Sequence, residues 1–324
     1  MMMPTRSSIL LSILLFTLAP SSASAQGATE RIFLAREHRG QPVTITADLL
    51  LPPGTGKVPA MVIHHGSGGV TEREGRYARE TVKLGVAALV IDSFKGRGIA
   101  SSVRDQATVS SSEMLDDAFA ALKALASHAR IDGNRVGIVG FSKGGTVALL
   151  AAHEVRAARA LPEGLRFALH VPFYPSCGTQ HLKPKSTGAP IYLLLGGADT
   201  YVGVAPCQEY AAALKAEGAA IEVTVYSGAP HGFDGRNAYS LPKGENWSRC
   251  VFVEQADGSW RERASGITTN DPKGQRIEAS YRRAVAACRR FGVSGGPNKA
   301  ARTKSMAALK GYIQKHLIEG KAIQ

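Results

Sequence analysis

Short apolar runs alternate with longer amphipathic runs along the chain, from about residue 40 to residue 231. The run at 43–50 alternates apolar and polar positions, which is typical of a half-buried strand. The later runs are continuous and rich in β-branched residues, as expected for a parallel sheet that is covered on both faces. These runs lie at 60–64, 86–91, 135–141, 167–171, 191–195 and 221–226.

Helical patterns occupy the intervals between these strands. Ser110 and Glu113 have the spacing of a capping box ahead of 114–128, where apolar residues recur on one face. The alanine-rich stretches 143–159 and 206–217 also favour helix. Alternation of strands and helices predicts an α/β fold with a mostly parallel sheet and helices on both faces.

The pattern changes after His231. Residues 249–263 are predicted to form a hairpin, because apolar and polar positions alternate there and the pair Asp257-Gly258 is a turn signal. We interpret about 235–270 as an excursion, since it is too short to build a core of its own. Residues 26–324 are therefore expected to form a single domain.

The C-terminal part of the chain is basic. Two basic helices are predicted near 276–290 and 299–317, with a flexible loop at 292–297 between them. The chain has 324 residues, 44% of them hydrophobic, and a formal net charge of +13, which excludes disordered and collagen-like chains. The charge comes without aromatic stacking partners or a known binding module. We therefore expect a solvated basic surface and no nucleic-acid partner.

The N-terminus has the order of a secretory signal peptide. A basic start at 1–6 precedes an apolar stretch at 7–19 and the small-residue sequence Ala23-Ser24-Ala25, which fits the cleavage rule. The apolar stretch is shorter than the ~20 residues that a membrane span needs. We expect residues 1–25 to be removed and the protein to be exported to the periplasm or secreted, without stable membrane insertion.

Four cysteines occur in the chain, and an oxidising compartment permits them to pair. Four cysteines allow three connectivities, which the sequence alone does not separate. We favour Cys177 with Cys207 and Cys250 with Cys288, because the members of each pair are closer in sequence. None has the spacing of a zinc or redox motif, so no metal role is expected.

A candidate nucleophile follows the strand at 135–141. The segment Gly140 to Gly144 matches the pattern G-x-S-x-G, and it lies between a strand and an alanine-rich helix, as a nucleophile elbow requires. Gly292 to Gly296 also matches, but it follows a basic helix and precedes a proline. Context therefore favours Ser142 over Ser294 as the nucleophile.

A serine hydroxyl needs a base, and the base needs an orienting carboxylate. Asp199 lies just past one predicted strand, and His231 lies just past the next. In folds with this kind of elbow, the serine comes first along the chain, the acid second and the histidine third. Ser142, Asp199 and His231 follow this order. The sequence predicts that the three side chains meet at one edge of the sheet.

Stabilising the charged intermediate requires backbone N–H donors. One is expected from Lys143, the residue after the nucleophile, and the other from Ser67, with Gly66 as the alternative. His64 and His65 could be read as metal ligands. Neighbours on a strand point to opposite faces, however, and we expect no metal site there.

These motifs together resemble the dienelactone hydrolase family of the α/β-hydrolase superfamily. The resemblance runs from about Val58 to His231 and implies the α/β-hydrolase fold and an ester or lactone hydrolase without a cofactor. It rests on three segments and on a loop with Asp92-Ser93-Phe94 and Arg97-Gly98. The segments are Gly140 to Gly145, Gly197 to Asp199 and Gly228 to Phe233.

The chain departs from the best-known family members at two linked positions. Those members carry Cys as the nucleophile and Glu in the first oxyanion loop, where this chain has Ser142 and Gly66. A serine can be activated directly by His231, so the two departures are mutually consistent. They leave the particular dienelactone substrate open, as does the excursion after His231.

Other residues are weaker candidates for binding substrate. Arg97 could pair with a substrate carboxylate, or it could brace its loop through Asp92 or backbone carbonyls. His65 is a second candidate. Trp247 and Trp260 could cover the site, although packing of the hairpin onto the core is the simpler role.

The leading hypothesis is a serine hydrolase of carboxylic esters or lactones that acts on a small molecule through an acyl-enzyme. A peptidase or acyltransferase with the same three residues remains open, and so does a non-catalytic binding protein. The sequence does not define the acyl and alcohol parts of the substrate or the oligomeric state.

Overall fold

The computed structural model describes residues 28–320, so the expected signal peptide at 1–25 lies outside the described residues. The strands within 28–320 are β1 (Thr29–His38), β2 (Gln41–Leu50), β3 (Val58–His64), β4 (Ala87–Asp92), β5 (Ile131–Phe141), β6 (Leu169–Phe173), β7 (Thr179–Gln180), β8 (Ile191–Gly196), β9 (Ile221–Tyr226), β10 (Tyr239–Asn246), β11 (Phe252–Glu254), β12 (Trp260–Glu262), β13 (Thr268–Asn270) and β14 (Arg290–Gly295). The helices are α1 (Glu72–Val82), α2 (Ser111–Ala126), α3 (Lys143–Leu150), α4 (Glu154–Ala160), α5 (Ala205–Ala216), α6 (Glu278–Cys288) and α7 (Lys299–Ile313).

The central sheet has eight strands in the order β1-β2-β4-β3-β5-β6-β8-β9. Strands β1 and β2 are antiparallel to their neighbours, and every pairing from β4 to β9 is parallel. The predicted parallel α/β sheet is thereby confirmed. Strand β1 was not predicted, because it is an edge strand whose side chains are mostly exposed and follow no apolar alternation.

Alternate residues of the buried strands contribute to separate hydrophobic cores on the two faces of the sheet. In β3, Ala60 and Val62 pack with α2 and α3, whereas Met61 and Ile63 pack with α1 and α7. This alternation is the period of two that a strand imposes on its side chains. The catalytic candidates lie where the parallel strands end, between these two cores.

Helix α2 begins as its sequence predicts. The Ser110 hydroxyl accepts from the Glu113 N–H, and the Glu113 carboxylate accepts from the Ser110 N–H at 2.8 Å. The prediction of one continuous helix at 143–159 was wrong, because the chain leaves the helical conformation at His153. There the Ala152 carbonyl accepts from Thr187, and the Glu154 N–H donates to Lys185, so a neighbouring loop replaces the helical hydrogen bonds.

The excursion after His231 is longer than the predicted 235–270, because it continues through α6 to the end of β14 at Gly295. Strands β11 and β12 form the expected hairpin, which joins β13 and β7 in a four-stranded sheet. The prediction of a flexible loop at 292–297 was wrong, because residues 290–295 form β14. This strand pairs with β10, and Val293 lies opposite Leu241. Glycines weaken a strand pattern in sequence, but here β10 supplies the pairing that holds the segment extended.

The predicted C-terminal helices are present. Helix α7 is basic on its exposed side and buries Leu309 and Ile313 against the sheet, which explains why a charged stretch is ordered. Within residues 28–320, no helix combines the length and apolar character of a membrane span. The four cysteines form two disulfides, Cys177–Cys207 and Cys250–Cys288, as favoured from the sequence.

Candidate active site

Ser142 lies at a sharp turn between β5 and α3. Its backbone has φ 55° and ψ −115°, a strained conformation for a residue other than glycine. The turn requires glycine on both sides. A Cβ at Gly140 would lie 2.0 Å from the Gly144 carbonyl oxygen, and one at Gly144 would lie 2.4 Å from that of His64. The pattern G-x-S-x-G therefore reflects close backbone contacts that hold the hydroxyl at the sheet edge.

The structure brings Ser142, His231 and Asp199, here called the triad, into one hydrogen-bonded chain. His231 Nε2 lies 2.8 Å from Ser142 Oγ, and His231 Nδ1 lies 2.6 Å from Asp199 Oδ2. The carboxylate holds the proton on Nδ1, which leaves Nε2 as the acceptor for the serine hydroxyl. This arrangement can deprotonate Ser142 at the moment it attacks an electrophile.

Asp199 is fixed by its own loop. Its other oxygen, Oδ1, accepts from the backbone N–H groups of Tyr201 at 2.9 Å and Val202 at 3.1 Å. Burial acts to raise the pKa of Asp199, but the charge of His231 and its hydrogen bond outweigh burial, so the pKa is lowered. The carboxylate is therefore ionised and oriented before any substrate binds.

The candidate oxyanion donors flank Ser142. Lys143 is the first residue of α3, so its N–H has no partner within the helix, and the Ser142 side chain does not cap it. Across the turn, a Cβ built on Gly66 would lie 3.3 Å from the Ser142 Cβ, so the loop of Gly66 and Ser67 packs directly against the elbow. Ser67 is anchored through its carbonyl to the Ser102 N–H at 2.8 Å.

His65 supports this loop and does not face the substrate cavity. Ser93 donates its N–H to His65 Nε2 at 3.1 Å, so the ring proton is on Nδ1, which donates to the Gly66 carbonyl at 2.7 Å. The ring is fully buried, and burial lowers its pKa. Both ring nitrogens of His65 already have protein partners, so the structure gives this residue a supporting position and leaves no free ring nitrogen for the substrate contact suggested from the sequence.

Arg97 braces the fold as well. Its guanidinium pairs with both oxygens of Asp117, at 2.6 and 3.0 Å, and donates to the Ser93 carbonyl at 2.6 Å. Its side chain is only 1% exposed. These contacts match the suggested bracing role, through Asp117 on α2 and the Ser93 carbonyl instead of Asp92, and they occupy the donors that a substrate carboxylate would need.

A buried polar network behind the triad was missed in the sequence. Tyr174 donates its hydroxyl to Asp234, and Arg73 donates to the same hydroxyl at 3.2 Å. Glu74 holds the Arg73 guanidinium at 2.8 and 3.0 Å. The Tyr174 ring packs edge-on against His231, with centroids 4.8 Å apart. The sequence signal in this region is the capping-box spacing of Thr71 and Glu74, which indicates the start of α1 and not a polar network.

A cavity of about 370 Å³ opens beside Ser142, and we call it the triad cavity. Three cationic side chains line it: Lys143 after the elbow, Arg156 from α4 and Arg276 from the excursion. None of the described residues that line it is acidic. Trp247 also lines it, whereas Trp260 packs against His181, with centroids 4.9 Å apart. The excursion therefore supplies part of the cavity wall.

The Lys143 ammonium is partly desolvated in this cavity. Its Nζ donates to the Gln106 carbonyl at 2.7 Å and to the Ser102 hydroxyl at 3.2 Å. Burial lowers the pKa of Lys143 to about 8, against the opposing charges of nearby carboxylates. A cation next to the nucleophile thus titrates in an accessible pH range. No group of three metal-ligating side chains occurs in the described part of the chain.

The strand order, the elbow at Ser142 and the partners at the ends of β8 and β9 define an α/β hydrolase. The sequence profile of the dienelactone hydrolase family matches residues 45–256. The chain belongs to this family, as its motifs indicated.

Three proteins of known name or structure are similar to this chain at low sequence identity. A protein of a Bradyrhizobium species named "Probable 2-oxo-3-(5-oxofuran-2-ylidene)propanoate lactonase" is 27% identical over 197 residues, which cover 58% of this chain and 78% of the relative. The α/β hydrolase MGS-M1 from a Medee basin deep-sea metagenome library has a TM-score of 0.50 at 20% identity, covering 65% of this chain and 85% of that one. Thermogutta terrifontis esterase 2, phosphonylated by cyclosarin, has a TM-score of 0.50 at 17% identity, covering 66% and 86%. At these identities the two structures support the fold alone.

Proposed function

We propose that this protein is a serine hydrolase that cleaves carboxylic esters or lactones through an acyl-enzyme. The observation that carries the proposal is the 2.8 Å contact between Ser142 Oγ and His231 Nε2. Membership of the dienelactone hydrolase family supports the reaction class. No cofactor is part of the proposed reaction.

In the first half-reaction, Ser142 Oγ forms a bond to the substrate carbonyl carbon while His231 Nε2 takes the hydroxyl proton. The carbonyl π electrons move to oxygen. When the tetrahedral intermediate collapses, the bond to the leaving alkoxide breaks, and His231 returns the proton to that oxygen. A lactone keeps its alcohol attached to the acyl group, whereas an ester releases it.

In the second half-reaction, water attacks the acyl carbon and gives a proton to His231. The bond to Ser142 Oγ then breaks, the serine recovers the proton, and the acid is released. Asp199 stabilises the imidazolium in both halves without taking its proton. The backbone N–H of Lys143, with that of Ser67 or Gly66, would donate to the oxyanion at each tetrahedral stage.

The triad cavity favours a substrate with an acid group. Lys143, Arg156 and Arg276 make the cavity cationic, and charged hydrogen bonds to a carboxylate are about twice as strong as neutral ones. The name of the Bradyrhizobium relative also describes a lactone that carries a carboxylate. We therefore include carboxylate-bearing esters and lactones in the proposed substrate class.

Labelling with a fluorophosphonate probe tests the nucleophile. The wild-type protein should be labelled and Ser142→Ala should not. Ser294→Ala is the matched control, because it removes the serine of the second G-x-S-x-G pattern and should keep full labelling. Absence of labelling in the wild type, with no hydrolysis of p-nitrophenyl acetate, would leave a binding protein and overturn the proposal.

We also propose that the chain is exported and loses its first 25 residues. The two disulfides support this, since such bonds persist mainly in oxidising compartments. Mass spectrometry of the protein recovered from a periplasmic fraction should find Gln26 at the N-terminus. Recovery of the full chain in the cytoplasmic fraction would contradict export.

A further inference from the structure

A second cavity, of about 400 Å³, adjoins the triad cavity, and we call it the cationic cavity. The two cavities share two lining residues, Ser112 at the start of α2 and Arg156 on α4. The two cavities therefore adjoin at Ser112 and Arg156, so Arg156 lies at the junction between them.

Basic side chains dominate the lining of the cationic cavity. Arg36, Lys123, Arg156 and Arg159 contribute four cations, and Asp116 contributes the one carboxylate among the described residues that line it. Arg36 is partly neutralised, because it lies 3.9 Å from Asp116 and 3.4 Å from Asp117.

The other three cations of this cavity are not neutralised in the same way. Among the described residues, the Lys123 ammonium has one hydrogen-bond acceptor, the Ala160 carbonyl at 3.4 Å. Neither Arg156 nor Arg159 forms an ion pair within residues 28–320. The cavity therefore keeps a net positive charge.

Arg156 carries an unmet hydrogen-bonding requirement at the junction. Its Nε is buried and has no hydrogen-bond partner in the described part of the chain. Burial also lowers the pKa of Arg156, which shows that its charge lies in an unfavourable environment. A buried donor without a partner is energetically unfavourable, and more so when it is charged. An anionic ligand at this point would supply the missing acceptor.

We propose that the cationic cavity is a second anion subsite, which binds a further carboxylate of an extended polycarboxylate substrate. One acid group would lie in the triad cavity, and the next would pass Arg156 to Arg159 and Lys123. The inference rests on the proposed function for its biological meaning, because the extended substrate would present its ester or lactone to Ser142. The binding itself does not depend on turnover.

Calorimetric binding to the full-length Ser142→Ala protein tests the subsite without hydrolysis. The probes are trigalacturonate, which is an extended polycarboxylate, its monomer galacturonate, and the uncharged trisaccharide maltotriose. Trigalacturonate should bind about tenfold more tightly than galacturonate, and maltotriose should not bind, because charged hydrogen bonds supply most of the affinity.

The decisive variant is Lys123→Gln with Arg159→Gln, which removes two cations of the second cavity only. It should weaken trigalacturonate binding about fivefold and leave galacturonate binding unchanged, since Lys123 and Arg159 are exposed and exposed charges each contribute modestly. The matched control is Lys215→Gln with Lys304→Gln, which lowers the net charge equally at exposed positions on α5 and α7. The control should bind all probes as the parent protein does.

Three outcomes would overturn the subsite. Trigalacturonate could fail to bind, it could bind no better than galacturonate, or the control could weaken it as much as the cavity variant does. Thermal melting of each variant excludes unfolding as the cause. Absence of esterase activity in the wild-type protein, with intact trigalacturonate binding by Ser142→Ala, would reject the proposed function and keep the subsite.

Discussion

Gly296 donates its backbone N–H to the carbonyl oxygen of His231 at 3.0 Å. Two residues further on, Asn298 donates to the Phe233 carbonyl at 2.9 Å. The chain therefore returns from the excursion to the same loop from which it left. The end of β14 is packed against the carbonyl of the proposed general base, so its fit should affect the position of the imidazole.

Gly295→Ala should impair catalysis. A Cβ at this position would lie 2.3 Å from the His231 carbonyl oxygen and 2.5 Å from the Tyr239 hydroxyl, so one of these groups must move. We expect a loss of about tenfold or more in kcat/KM, because small displacements of reacting groups are costly. Steady-state hydrolysis of p-nitrophenyl acetate measures it. Gly311→Ala in α7 is the control, since nothing lies within 4 Å of its Cβ. Equal activity of the two variants would contradict the prediction.

Asp234→Ala should destabilise the fold. Asp234 is fully buried, accepts from Tyr174 and lies 4.0 Å from Arg76, so its removal leaves polar groups without their acceptor. We expect a decrease of about 3 kcal/mol in the free energy of unfolding, measured in urea.

Tyr174→Phe is the milder companion change. It removes one hydroxyl and keeps the ring against His231, so it should cost about 1 kcal/mol and preserve most of kcat. If Asp234→Ala were no less stable than Tyr174→Phe, the Asp234 carboxylate would contribute no more to the free energy of unfolding than the Tyr174 hydroxyl does.

The two disulfides should contribute similarly to stability and differently to activity. They close loops with sequence separations of 30 and 38 residues, and loop entropy assigns about 3.5 kcal/mol to each. Cys177 lines the triad cavity, whereas Cys250 and Cys288 lie in the excursion. Cys177→Ser with Cys207→Ser should therefore raise KM as well as lower Tm.

The matched variant is Cys250→Ser with Cys288→Ser, which should lower Tm with a smaller change in KM. Thermal melting and steady-state kinetics of both double variants compare the two bonds. If neither variant changed Tm, the disulfides would not stabilise the folded chain.

Selectivity for acid substrates should fall above pH 8. Burial lowers the pKa of Lys143 to about 8, so the ammonium loses its proton as the pH rises through that value, and the cavity loses one positive charge. The ratio of kcat/KM for the acid ester p-nitrophenyl hydrogen glutarate to that for neutral p-nitrophenyl acetate should drop about fivefold between pH 7 and 9.5. Taking the ratio removes the titration of groups that act on both substrates.

Lys143→Met is the control for this pH dependence. It should show a low ratio that no longer changes with pH, because the titrating group is gone. Burial is opposed by the charges of Glu113, Asp105 and Glu245, which raise the Lys143 pKa. A ratio in the wild type that stays constant to pH 9.5 would reject the role of the ammonium in binding.

The sequence predicted what short-range pattern and motif order encode. Continuous apolar runs indicated the parallel strands, and the order of Ser142, Asp199 and His231 placed three loops at one edge of the sheet. The hydrogen-bond partners of His65 and Arg97 could not be predicted, because Ser93 and Asp117 lie 28 and 20 residues away from them in the chain. The break at His153 likewise depends on a loop that follows it by more than thirty residues.

Strand β14 shows the same limit for a segment that was predicted to be a loop. Its glycine-rich sequence favours a loop, and its extended form comes from pairing with β10 about fifty residues earlier. The cationic lining of the cavity was also hidden, because Lys143, Arg156 and Arg276 belong to three different elements.

The hydrogen bonds from Gly296 and Asn298 fasten the two ends of the 235–295 segment side by side. That segment carries Trp247 and Arg276 to the wall of the triad cavity, while the three triad residues lie outside the segment. Part of the cavity wall thus belongs to a stretch of polypeptide that carries none of the triad residues, whereas Lys143 and Arg156 belong to the framework that carries the triad. We expect natural relatives to exchange this stretch, by lengthening, trimming or replacing it, and to acquire new preferences while the hydrolytic apparatus stays as it is.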